Sequence, residues 1–74
     1  MISVQVFWKD TGMPARNMRV SIGFDGWFRG VTGKEITNSN GEVHFDSDPG
    51  HGKVYVDGNT AYDGMIKGRV IVYV

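Results

Sequence analysis

Apolar and polar residues alternate from the start of the chain. Over residues 2–9, Ile2, Val4, Val6 and Trp8 fall on one face, opposite Ser3, Gln5 and Lys9, which predicts a strand. Phe7 interrupts the polar side, so part of that second face is expected to be covered as well. Residues 10–14 supply turn chemistry, because Gly12 accepts positive φ while Pro14 presets φ and removes a donor. The next strand runs over residues 18–24, its even positions Met18, Val20, Ile22 and Phe24 apolar and its odd positions polar or small. Asp25 and Gly26 then signal a reversal. Residues 27–33 mix aromatic and β-branched side chains with interrupting glycines, and residues 34–37 fit a short strand leading into a turn at 38–41.

The stretch 37–58 predicts its own shape best: turn, strand, turn, strand. Val43 and Phe45 point inward from the first strand, and Val54 and Val56 from the second. A hairpin that keeps both apolar pairs on one face sets His44 near Tyr55 on the other. Residues 58–68 read as a glycine-bounded connection carrying Tyr62. Residues 69–74 form a last strand, apolar on both faces, with Ile71 and Tyr73 opposing Val70, Val72 and Val74. No window of ten or more residues has helical spacing. Short strands at regular spacing with turn signals between them predict an all-β domain of six or seven strands, a β-sandwich or a small β-barrel.

Composition narrows the function more than the fold. A chain of 74 residues makes one domain, 1–74, and buries only roughly 60% of the surface exposed when unfolded. It has no cysteine, which removes disulfides, thiol catalysis and cysteine-based metal sites. Lys and Arg number 8, Asp and Glu number 8, and neither sign forms a run. That balance lacks the basic footprint of a nucleic-acid binder and the attraction to an anionic membrane surface. No segment approaches the roughly 20 apolar residues of a membrane helix, and no basic-then-apolar leader is visible, so no signal peptide is expected and the compartment stays open. Glycine, at 11 residues, is about twice its usual share and falls where reversals are expected.

Three segments resemble transthyretin-like domains, a group that includes the accessory domains of carboxypeptidases and the collagen-adhesin B-type repeats. Gly12-Met13-Pro14 followed by Asn17-Met18-Arg19-Val20-Ser21-Ile22 is similar to that group's opening Gly-x-Pro and alternating strand. Thr37-Asn38-Ser39-Asn40-Gly41-Glu42-Val43-His44-Phe45 is similar to its Thr-Asp-x-x-Gly-x-Phe-x-Phe segment, and Pro49-Gly50-His51-Gly52-Lys53-Val54-Tyr55-Val56 to the Pro-Gly-x-Tyr continuation. Gly52 stands where a Tyr is usual, which suggests a cavity or filling by Trp27, Phe28 or Tyr62. The resemblance implies a seven-stranded Greek-key-like sandwich and a linker, spacer or binding module without a single set activity. Some members carry Lys–Asn crosslinks. Here Lys9 ends the first strand but residues 69–74 contain no Asn or Asp, so no crosslink is expected.

Asp46, Ser47 and Asp48 with His44 and His51 lack the order of acids, glycine and terminal Glu of a calcium loop, and read as turn acids and a polar outer face. Ser47, Asp48 and His51 cannot readily converge within one short turn with an oxyanion site, and no strained elbow holds the serine. Residues 50–53 fail as a phosphate loop because Val54 stands where Ser or Thr belongs and a strand follows instead of a helix. No catalytic residue, metal or cofactor is expected. Trp27, Phe28 and Arg29, framed by Gly26 and Gly30, could stack on a sugar ring or anchor a protein, with Tyr62 a weaker contributor. Against that, one aromatic plugging the small core is the favoured reading, since large aromatics dominate core energetics. Phe7, Ile71 and Tyr73 form a second candidate surface, an apolar face inviting self-association. The expectation is a non-catalytic β-sandwich module for protein interaction or structural spacing, with a protein partner or homodimer first. A carbohydrate module is the alternative, and a small-barrel nucleic-acid binder ranks below both.

Overall fold

Alternation and turn chemistry divide the chain into eight strands among the described residues, 1–26 and 29–74 of a computed structural model: β1 (Ile2–Phe7), β2 (Arg19–Phe24), β3 (Gly30–Val31), β4 (Glu35–Ile36), β5 (Glu42–Phe45), β6 (Gly50–Val56), β7 (Asn59–Ile66) and β8 (Arg69–Tyr73). They form two open sheets. One has the order β5-β1-β8; the other has the order β3-β2-β6-β7, with β4 also pairing with β2. The fold is a small all-β sandwich, not a closed barrel. Ile2, Val4 and Val6 of β1, Val43 and Phe45 of β5, and Val70 and Val72 of β8 supply one half of the core. Val20 and Ile22 of β2, Val54 and Val56 of β6, and Ile66 of β7 supply the other. Each fully buried aliphatic side chain contributes about 1.5–3 kcal/mol.

The pairing differs from the sequence reading in the middle of the chain. β5 and β6 do not form a hairpin. β5 pairs antiparallel with β1, Val4 opposite Val43, whereas β6 lies between β2 and β7 in the other sheet. Both strands bury one apolar face, and that requirement is met as well by facing each other across the core as by lying side by side. His44 therefore sits beside Ser3, its Nδ1 2.8 Å from the Ser3 hydroxyl, while Tyr55 is opposite Ser21 with its ring over Gly23.

Residues 58–68 are also not a loop. Asp57 and Gly58, with φ of 50° and 84°, make the two-residue reversal that matches strand twist, and β7 returns along β6. Its apolar signal is weak because β7 is an edge strand with one fully buried position, Ile66. Trp8, expected inward, lies one residue past the end of β1 and is 41% exposed.

Two close approaches fix the interior. Gly41 has φ 75°, and its carbonyl accepts the Val6 N–H at 2.8 Å. A Cβ there would strike the Val6 carbonyl oxygen. A Cβ on Gly52 would collide with the Gly23 backbone, so the missing aromatic leaves no hole; the neighbouring strand occupies the space. Thr37, only 2% exposed, accepts the Met18 N–H at 2.9 Å and donates to the Ala15 carbonyl at 2.7 Å, stapling the segment before β2 to the end of β4.

Candidate functional site: the outer face of the three-stranded sheet and the groove beside it

Strand alternation puts Ser3, Gln5 and Phe7 on the outer face of β1. Parallel pairing then places Arg69 beside Ser3, Ile71 beside Gln5 and Tyr73 beside Phe7. The face divides in two along the strands. In its polar half, the Arg69 guanidinium reaches across β1 to Gln5 and to the Glu42 carboxylate on β5, the latter at 2.8 Å, and Ser3 pairs with His44. These groups satisfy one another. In the apolar half, Phe7 and Tyr73 stack with ring centroids 5.8 Å apart and an interplanar angle of 29°. Ile71 and Tyr73 are 47% and 56% exposed. The expected surface of Phe7, Ile71 and Tyr73 is thus assembled as one patch, with Phe7 partly buried within it.

Around the sheet edge from this patch lies a groove of about 390 Å³. Val56, Ala61, Met18 and Val74, packed on the core, line it together with the more exposed residues Trp8 and Tyr73. Trp8 is held by its backbone, donating to the Met13 carbonyl at 2.9 Å and accepting from Gly12 N–H at 2.8 Å. Opposite are polar groups of the β6–β7 turn, Asp57, Asn59 and Thr60, together with Lys9. A regular strand presents alternate residues to one side, yet Asn59, Thr60 and Ala61 all line this groove. The cause is a bulge: Val54 pairs with Tyr62 but the next residue, Tyr55, pairs with Thr60, leaving Ala61 unmatched. Bulges re-aim side chains in this way. Sequence reasoning missed the groove because it assigned Trp8 to the core and residues 58–68 to a loop. The Asp57-Gly58 pair was the available signal.

The other sequence candidates separate. Trp27 and Phe28 lie outside the described residues. Arg29 is engaged within the fold: its guanidinium carbon is 3.9 Å from the Phe24 ring centroid, and it donates to the Asp48 carbonyl and, at 2.8 Å, to that of Pro49. It clamps the segment entering β6 instead of presenting a free cation. Tyr62 sits on β7 opposite Val54, packed on the core, with its hydroxyl donating to the Met65 carbonyl at 2.9 Å. It belongs to the sheet, not to a loop surface. His44 and His51 fall in different sheets, and among the described residues no three His, Asp or Glu side chains converge as metal ligands would. No family model, curated protein or solved structure matches the chain.

Proposed function

We propose that this chain is a non-catalytic β-sandwich module that makes protein contacts through the apolar half of its three-stranded sheet, with a second copy of itself as the first partner. The observation that carries the reading is the Phe7–Ile71–Tyr73 patch: two stacked rings and an aliphatic side chain on a sheet face that no element of the chain covers among the described residues. Aromatics in such patches are favoured contact anchors. The zero net charge lets two copies approach without mutual repulsion, and a two-fold contact would use the same patch on each. Its small size points to weak association, at the low end of interface areas.

A spacing role is compatible with the same geometry. β1 and β8 are parallel neighbours, so the chain enters and leaves the three-stranded sheet at opposite ends, and the molecule measures 37 × 19 × 19 Å. The resemblance to transthyretin-like modules supports the same class of role. Dilution followed by amide NMR tests the reading. Concentration-dependent shifts are expected at Phe7, Ile71 and Tyr73 and not at Arg19 or Lys53 on the opposite sheet. Uniform spectra across concentrations would count against a second copy as partner.

A further inference from the structure

We infer that the groove between Trp8, Tyr73 and the β6–β7 turn is a binding site for a neutral sugar ring. The groove shares Tyr73 with the self-association patch, but Phe7 and Ile71 are not part of its lining, so Ile71 variants separate the two. A volume of about 390 Å³ lies in the range of small-ligand sites and accommodates a pyranose of one or two units.

Three features of the lining select the ligand class. Trp8, 41% exposed, lines the space, and an indole suits the weakly positive C–H groups on one side of a pyranose. Asn59 and Thr60 each bring both donors and acceptors, the pairing that vicinal hydroxyls need. Among the described residues, the charged residues Lys9 and Asp57 border the space together. Their charges offset, so a neutral polyol fits better than a phosphate, a carboxylate or an ammonium. A purely apolar ligand would strip water from the turn's polar groups without replacing those hydrogen bonds.

The site is also preformed. The backbone hydrogen bonds at Trp8 fix one part of the lining. At another, the Asp57 carboxylate accepts the Arg19 N–H at 3.1 Å and the Asp57 N–H donates to the Arg19 carbonyl at 2.8 Å, locking the turn. The Ala61 bulge then brings adjacent residues to a single space, a placement that a regular hairpin would not give.

The test is a titration of the ¹⁵N-labelled chain with glucose, galactose, mannose, N-acetylglucosamine and their disaccharides up to tens of millimolar. Saturable shifts are expected at the Trp8 indole N–H and at the Asn59 and Thr60 amides for at least one sugar. Trp8→Ala and Asn59→Ala, each checked for an intact amide spectrum, should weaken binding about tenfold or more, a loss of about 1.4 kcal/mol or more. Ile71→Lys should leave binding unchanged even where it abolishes self-association. Should Trp8→Ala fail to fold, the turn variant Asn59→Ala decides alone. The inference is overturned if no sugar gives a saturable shift, or if binding survives Asn59→Ala and any folded Trp8→Ala. It is overturned equally if the Trp8 indole signal moves on concentrating the sugar-free protein, which would give the groove to a second copy.

Discussion

Phe7 and Tyr73 stack at 5.8 Å across the parallel pair of the first and last strands. One ring is half-buried and the other stands mostly in solvent. The contact joins the two ends of the sequence and at the same time leaves an aromatic surface unspent by the fold. Truncating Tyr73 to Ser should therefore cost stability only modestly, about 0.5–1.5 kcal/mol for a lost aromatic pair, while removing most self-association. Urea denaturation measures the first effect. A loss of more than about 3 kcal/mol would place Tyr73 in the core and not on a contact face.

Thr37 is the buried polar group on which the inter-strand staple depends. Replacing it by Val keeps the shape but leaves the Met18 N–H and the Ala15 carbonyl without their partner. The expected cost is about 1–3 kcal/mol, seen as a lower urea midpoint with an unchanged slope. Serine, which keeps the hydroxyl, should recover most of that loss.

Gly41 and Gly58 separate two reasons for glycine. Both have positive φ, 75° and 84°, but only Gly41 faces backbone where a Cβ would go; Gly58 faces open space. Gly58→Ala should cost about 1 kcal/mol from conformation alone. Gly41→Ala should cost distinctly more, because the Val6 carbonyl must move and its sheet with it. Equal losses in thermal or urea unfolding would mean that the close approach at Gly41 contributes nothing.

Arg29 is predicted to act as a clamp. Arg29→Lys removes the planar fork that reaches Asp48 and Pro49 while stacked on Phe24, and lysine does not reproduce it. A loss of about 1 kcal/mol and faster amide exchange at the start of β6 are expected. Unchanged exchange at Gly50 and His51 would contradict the clamp.

These positions show which parts of the fold the sequence makes readable. Alternation identified inward residues such as Val43, Phe45, Val54 and Val56 correctly, because the period of a strand depends only on local geometry. It did not identify partners. An apolar face is equally well buried by a neighbour in the same sheet or by a strand across the core, so β5 and β6 read as a hairpin and are in fact split between sheets. Trp8 continued the pattern of β1 one residue past the end of the strand, and it is 41% exposed. β7 was hidden for the opposite reason: as an edge strand with glycine and polar residues it has little apolar pattern to detect. The outward placement of Phe7, Ile71 and Tyr73 was legible because apolar residues on both faces of a strand are surplus to a two-layer fold. The groove was not, since it depends on a bulge and on tertiary pairing.

Sedimentation velocity of the native chain and of Ile71→Lys, from micromolar to near-millimolar concentration, tests the contact face most directly. Ile71 is 47% exposed on the outer face and lies outside the core, so the lysine should leave stability within about 0.5 kcal/mol. The native chain is expected to shift from its 8.2 kDa monomer toward a dimer as concentration rises, with Ile71→Lys remaining monomeric throughout. A native chain that stays monomeric over the whole range, or an Ile71→Lys variant that associates as strongly as the native chain, would contradict the assignment of this face.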